Sequence, residues 1–139
     1  MGGTSSQNKG KKGEREVVAI LQPLVSQVYI GMGLDAPLLQ RNLLQSHRGG
    51  CDIVGLEWLA LEVKLQEQFA VDAWWQQTLD QCGQRQRPVL FYRKNNVQWK
   101  VRCIVTMQAG GTWLAMPATL SVPDWLRWFR ATLIEELRE

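Results

Sequence analysis

Arg48-Gly49-Gly50-Cys51-Asp52-Ile53-Val54-Gly55-Leu56-Glu57-Trp58-Leu59-Ala60-Leu61-Glu62-Val63-Lys64 is the stretch on which the fold turns. It has the pattern of a short β-hairpin. The second strand, Leu59 to Leu65, is apolar except at Glu62 and Lys64. These two lie two residues apart, so both side chains leave the same face of the strand. Asp52 opens the first strand. A two-residue turn at Leu56 and Glu57 would pair Asp52 with Leu61 and aim its carboxylate at the wrong face. An odd loop, Leu56 to Trp58, pairs Asp52 with Glu62 and leaves Glu57 at the tip, away from the site. The odd loop is the expectation, because it gathers two carboxylates and one lysine on a single patch. Hard divalent cations bind such oxygen clusters, and phosphodiester hydrolysis uses them.

Working outward, the chain of 139 residues is long enough for one domain with a real core. No apolar run approaches the ~20 residues of a membrane span. The Gly/Ser/Lys-rich start, Met1 to Lys12, has no apolar segment of the kind a signal peptide needs. Cys51, Cys82 and Cys103 are widely spaced with no CxxC pair, which argues against a zinc site or a disulfide framework and fits a reducing cytoplasm. The net charge of +3 is modest but unevenly placed. Between Asp80 and Asp124 there is no acidic residue, while Arg85, Arg87, Arg93, Lys94, Lys100 and Arg102 stand among Phe91, Tyr92 and Trp99. A basic surface with interleaved aromatics suits nucleic acid; a sheet edge kept soluble by Lys and Arg is the plainer alternative.

Residues 1–10 have nothing apolar to bury and are expected to be a disordered tail, leaving 11–139 as a single domain. A helix follows from Lys11 or Lys12 to about Val28, with Val17, Val18, Leu21, Leu24, Val25 and Val28 on one stripe and Pro23 as a kink point. At ~100° per residue, Glu14 lies roughly 40° from the centre of that stripe and Glu16 roughly 120° away. Glu14 should therefore face the sheet and Glu16 water. An inward carboxylate needs a partner, and a metal shared with Asp52 and Glu62 would supply one. Helix-start glutamates are also favoured by the macrodipole, which accounts for either residue but not for the inward one. Tyr29 to Asp35 is a loop, Leu38 to Gln45 a strand, and Ser46 to Gly50 a turn in which Gly49-Gly50 lets backbone approach a phosphate. His47, the only histidine, is more ordinary as an exposed or structural residue than as a group on the scissile phosphate. Beyond the hairpin the pattern predicts a helix from Val71 to a stop at Gly83, and a buried strand Pro88 to Arg93. A turn follows at Lys94-Asn95-Asn96, then a strand Gln98 to Met107, a turn at Gly110-Gly111 and a short strand Trp113 to Met116. The last helix is capped by Ser121 or Asp124 and presents Trp125, Leu126, Phe129, Leu133 and Leu137 for packing, within one chain or across a dimer.

These residues resemble the PD-(D/E)xK nuclease superfamily, in particular archaeal-type Holliday-junction resolvases and their small phage and prophage relatives. The resemblance runs through Lys9-Gly10-Lys11-Lys12-Gly13-Glu14-Arg15-Glu16 on the first helix, Cys51-Asp52-Ile53 opening the hairpin, and Glu62-Val63-Lys64 on its second strand. Cys51 stands where these relatives commonly have proline. It covers roughly residues 9–95, and the tail beyond about residue 105 lies outside it. It implies an α/β (α+β), restriction-endonuclease-like core: a central mixed β-sheet flanked by helices, in the order helix, hairpin, helix, strands, C-terminal helix. It implies a Mg²⁺-dependent endonuclease, with Mn²⁺ substituting, that hydrolyses DNA phosphodiester bonds and selects branched DNA. Asp52, Glu62 and the Val63 carbonyl would hold the metal, Glu14 would complete the site directly or through water, and Lys64 would serve the attacking water. A glutamine on the second helix, Gln77 or Gln81, would stand near the site. Arg41, Arg48, Gly49, Gly50, Gln77, Arg93 and Lys94 would contact DNA. No small-molecule cofactor and no membrane partner are implied. The protein would act as a homodimer in the cytoplasm, that of a bacterial host if phage-encoded. Two alternatives stand beside this: a DNA-binding module of nuclease fold that does not cut, and a nuclease acting on duplex, nicked or single-stranded DNA. An ion pair of Glu62 with Lys64 and a turn-capping Asp52 is the non-functional explanation of the same residues.

Overall fold

A computed structural model describes residues 2–43 and 51–139, with side chains from residue 9 onward. Its elements run α1 (Gly2–Gly31), β1 (Gln40–Arg41), β2 (Ile53–Val54), β3 (Leu59–Leu65), α2 (Val71–Gln81), β4 (Arg87–Arg93), β5 (Lys100–Ala109), β6 (Thr112–Ser121) and α3 (Val122–Arg138). The strands form one mixed sheet in the order β1-β2-β3-β4-β5-β6. Only β3 and β4 are parallel among these neighbours, and α2 makes the crossover that a parallel pair requires. The fold is therefore α+β, a six-stranded mixed sheet with three helices against it, as expected.

Strand parity sorts the two faces. Leu59, Leu61, Val63 and Leu65 of β3, with Val89, Phe91, Val101 and Cys103, share one buried cluster with Val17, Leu21, Val25 and Val28 of α1 and Trp125, Phe129 and Leu133 of α3. On the other face Leu90 and Tyr92 pack against Trp74 and Trp75 of α2. The α3 side chains Trp125, Phe129 and Leu133 have no exposure, and Trp125 stands 4.9 Å from Phe129 and 5.1 Å from Phe91, ring to ring. Burial of this kind contributes roughly 1.5–3 kcal/mol per side chain. The last helix is thus part of the monomer core, and these three residues are not available to a dimer interface. Its cap is Ser121, whose hydroxyl accepts from the Asp124 N–H.

Several expected boundaries move. Helix α1 starts at Gly2, not after a tail of ten residues, and ends at Gly31, past Val28. Once the apolar stripe of α1 is docked, extending it adds one hydrogen bond per residue, and no proline interrupts residues 2–22. Pro23 is accommodated because it and Ala19, whose carbonyl it leaves without a helical donor, are both exposed to water. Helix α2 stops at Gln81 and Cys82 is extended, so Gly83 is not a left-handed cap. Strand β1 is two residues long, and the end of the predicted Leu38–Gln45 strand lies outside the described residues. The largest difference is β6, ten residues in place of a short Trp113–Met116 strand. Gly110 and Gly111 both have positive φ (57° and 76°), which keeps β5 and β6 in register along their whole length. Pro117 is tolerated in mid-strand because β6 is a sheet edge.

Gly13 is the point of closest approach between α1 and the sheet. A Cβ there would stand 3.2 Å from Leu65 Cβ, 3.3 Å from Val63 Cγ1 and 3.4 Å from the Trp99 ring. Gly10, one turn earlier, has open space around it. Opposite outcomes follow for the two glycines. Gly13→Val should destabilise the fold by about 1–3 kcal/mol through overpacking, whereas Gly10→Ala should be neutral or gain up to about 1 kcal/mol from helix propensity. Denaturant unfolding monitored by tryptophan fluorescence measures both.

Candidate active site

The hairpin closes in the expected register. Ile53 pairs with Leu61, so the adjacent position sets Asp52 across from Glu62, and Leu56 to Trp58 form the odd loop with Glu57 exposed at its tip. Gly55 turns the chain with φ 134°, and a Cβ there would meet Leu39 Cδ2 at 2.7 Å. Asp52 is held from three directions. Its backbone N–H donates to the Leu61 carbonyl and its carbonyl accepts from the Asn42 N–H, each at 2.8 Å. Its Oδ2 accepts from the Val63 N–H at 2.7 Å. That last bond turns the side chain inward, and Asp52 is 8% exposed beside a Glu62 that is 2% exposed.

The Glu62 carboxyl is a hydrogen-bonded neighbour of the Asp52 carboxyl, and this disfavours a charge on Glu62. Burial, then the charge and hydrogen bond of Asp52, push the Glu62 carboxyl up to about 9, against a smaller opposing pull from Lys64 and a small push from Glu14. Lys64 is half-buried, on the same face of β3 as Glu62. The sheet register extends this face sideways: Lys64 lies beside Tyr92 and Tyr92 beside Lys100, while Glu62 lies beside Leu90 and Leu90 beside Arg102. Lys94 joins the same side, stacked 4.9 Å over Phe69, which packs edge-on against Tyr92.

Glu14 is turned inward but takes a different partner. Its Oε2 accepts from Arg41 Nε at 2.8 Å. Arg41 stands opposite Ile53, on the α1 side of the hairpin, whereas Asp52 and Glu62 point to the other side. Burial raises the Glu14 pKa, Arg41 works against it, and the nearby Asp52 charge adds to it. Among the described residues no group of three or more His, Cys, Asp or Glu side chains is arranged to hold a metal ion. The pair Asp52–Glu62 is assembled, and Glu14 stands off it in an ion pair.

Glu16 corrects the expectation that it faces water. Its two oxygens accept from Arg93 at 2.8–3.1 Å, and one also accepts from the Trp99 indole N–H at 3.2 Å. Successive odd positions of β4 face α1, which brings Arg93 under the far flank of the helix. Arg93 is accordingly buried, donating also to the Lys94 carbonyl and lying 5.0 Å over the Trp99 ring. It is an interior clamp in place of the DNA contact expected of it. Arg102 is half-buried over Trp75, so of the basic segment Arg85, Arg87, Lys94 and Lys100 are the exposed members, Arg87 being paired with Glu136. Gln77 and Gln81 are both half-buried on α2 over the Glu62 face; at ~100° per residue Gln81 falls in line with the buried Trp74 and Gln77 on its flank. His47, Arg48, Gly49 and Gly50 lie outside the described residues. Gly13 went unnoticed in the sequence, although a glycine inside a helix beside an inward glutamate signals close backbone approach.

The carboxyl pair yields a pH prediction. The folded Glu62 carboxyl titrates near 9 and the unfolded one near 4.5, so folded protein keeps a proton that unfolded chain releases in between. Stability contributed by this group is present below the unfolded value and is lost as pH rises towards the folded one. Glu62→Gln keeps the shape and removes the titration. Its stability relative to wild type should therefore be higher at pH 8 than at pH 5, by at least about 1.4 kcal/mol, one pKa unit, in thermal melts with EDTA present. An equal difference at both pH values would show that Glu62 is already ionised in the fold.

A comparison with family models, curated proteins and solved structures finds no match to this chain.

Proposed function

We propose that the protein is a metal-dependent endodeoxyribonuclease related to the PD-(D/E)xK superfamily, with Asp52, Glu62 and Lys64 at its centre. The observation that carries this reading is the buried contact between the Asp52 and Glu62 carboxyl groups, with Lys64 on the same strand face. The element order of helix, hairpin, helix, strands and C-terminal helix is also the one the resemblance implies. A plain surface ion pair would not explain two carboxyl groups buried against one another, because that arrangement costs desolvation and repulsion.

The donor chemistry fits a hard cation. Mg²⁺ is commonly bound through one or two carboxylates, keeping several waters and taking substrate oxygens for the rest. Asp52 and Glu62 would hold it, with the Val63 carbonyl beside them and Glu14 acting through water. When bound, such an ion polarises the phosphodiester and lowers the pKa of a water. The chain's own residues do the remainder. The Val63 N–H fixes Asp52. The Lys64 ammonium orients the attacking water and offsets negative charge as it develops at phosphorus. Lys94 and Lys100, on the Glu62 side of the sheet, hold the DNA backbone, and such contacts weaken steeply with salt. Branched DNA is the proposed substrate, because nothing in the arrangement supplies base-edge readout; cutting both strands symmetrically would call for a two-fold dimer.

Cleavage of four-way junction, flap, nicked, linear and single-stranded DNA with Mg²⁺ or Mn²⁺ tests the proposal. Product is expected with wild type and none with Lys64→Ala, which should still bind DNA in a mobility-shift assay. A fall of at least about 10²-fold in rate is expected for Lys64→Ala. No product on any substrate, with DNA binding intact, would leave the non-cleaving module; normal cutting by the variant would remove Lys64 from the chemistry.

A further inference from the structure

Phe69 stands beside the candidate site without a part in its chemistry. Only two aromatic rings of the chain are exposed, Trp113 near the tip of the β5–β6 hairpin and Phe69, at 39%. The aromatics that the sequence interleaves with basic residues, Phe91, Tyr92 and Trp99, are all buried, Phe91 and Trp99 in the core under α1. The accessible ring comes instead from the 66–70 connection after β3, five residues beyond Lys64.

Its surroundings are aromatic below and basic around. The Phe69 ring meets Tyr92 at 5.3 Å and Trp74 at 5.7 Å, edge-on in both cases. Tyr92 pairs with Lys64 on one side and with Lys100 on the other. At ~4.8 Å between strands, Lys64, Tyr92 and Lys100 make a row about 10 Å long across the Glu62 face, and Phe69 rests on its middle member. The Lys94 ammonium lies 4.9 Å over the Phe69 ring. Among the described residues neither Lys94 nor Lys100 has an acidic partner. Glu67, the acidic residue of the same connection, is taken by Lys9 and by the Asn95 N–H.

This combination selects its ligand. A basic track with an exposed ring on it binds nucleic acid by holding phosphates and stacking a base. In continuous duplex each base is covered by its neighbours in the stack, so only an unpaired nucleotide has a face to offer. The edge contacts with Tyr92 and Trp74 already fix the ring, so little freedom is lost when a base settles on it. Lys94 does not block the ring, because an exposed cation–π contact is weaker than base–aromatic stacking and its long side chain can turn to a phosphate. We propose that Phe69 stacks on an unpaired base next to the scissile phosphate while Lys94 moves from the ring to the adjoining phosphate, so that the site takes single-stranded or flapped DNA in preference to continuous duplex. The proposal rests on the nuclease reading for the place of the scissile phosphate, whereas the stacking contact is tested by binding without cleavage.

Fluorescence anisotropy on the full chain measures binding of a labelled oligothymidine of about 12 nucleotides and of a fully paired duplex of the same length, with EDTA and again with Ca²⁺. Wild type is expected to bind the oligothymidine more tightly than the duplex. Phe69→Ala and Phe69→Leu should each weaken oligothymidine binding by roughly 5- to 100-fold and leave duplex binding unchanged, and Phe69→Trp should restore wild-type affinity. The leucine variant keeps an apolar side chain against Tyr92 and Trp74, so it separates loss of stacking from loss of packing. Equal oligothymidine binding by wild type and Phe69→Leu overturns the proposal and leaves the nuclease reading standing. An equal loss on both DNAs, which would make Phe69 a packing residue, overturns it too, as does a wild type that prefers the duplex. A wild type that binds neither DNA in either condition removes the proposal and the nuclease reading together.

Discussion

Everything near the candidate site depends on how closely α1 lies against β3, and that distance is set by the missing side chain at Gly13. With Leu65 and Val63 within 3.3 Å of where a Cβ would be, the helix backbone rests directly on the strand. The residues beside Gly13 then straddle the contact. Glu14 reaches one way to Arg41 on β1, and Glu16 reaches the other way to Arg93 and Trp99 on β4 and the segment before β5. Two carboxylates on one helical turn thereby fasten α1 across the sheet. Removing either partner would leave a half-buried charge uncompensated, which is costly in a way that an exposed ion pair is not.

The second constraint is the hydrogen bond from the Val63 N–H to Asp52. It uses a strand donor to aim a carboxylate at another carboxylate, an arrangement that opposes folding on its own account. Burial and mutual repulsion raise the Glu62 pKa far above the ordinary range, and perturbation of that size in one specific pair is characteristic of functional sites. The basic residues divide according to strand parity. Arg93, at an odd position of β4, turns under α1 and becomes structural, whereas Lys64 and Lys100 share the face of Glu62. A cluster that looked uniform along the chain thus separates into a clamp and a surface.

The sequence by itself determined the elements that rest on local pattern. The alternation in β3 with its two polar positions, the odd loop that pairs Asp52 with Glu62, the apolar stripe of α1 and the Ser-Val-Pro-Asp start of α3 were all legible, because parity, turn length and capping are short-range. Helical angle also showed correctly that Glu14 points inward. The tertiary structure alone decided what these residues meet. A helical wheel gives a direction but not a partner, so Glu14 closes on Arg41, and Glu16 finds Arg93 some 77 residues away instead of water. The length of β6 was equally hidden, since an uncharged apolar run has no alternation to mark its ends and its strand state depends on pairing with β5. The reason is common to all three: spacing along the chain encodes which way a side chain leaves its own element, whereas its environment is created by elements distant in sequence.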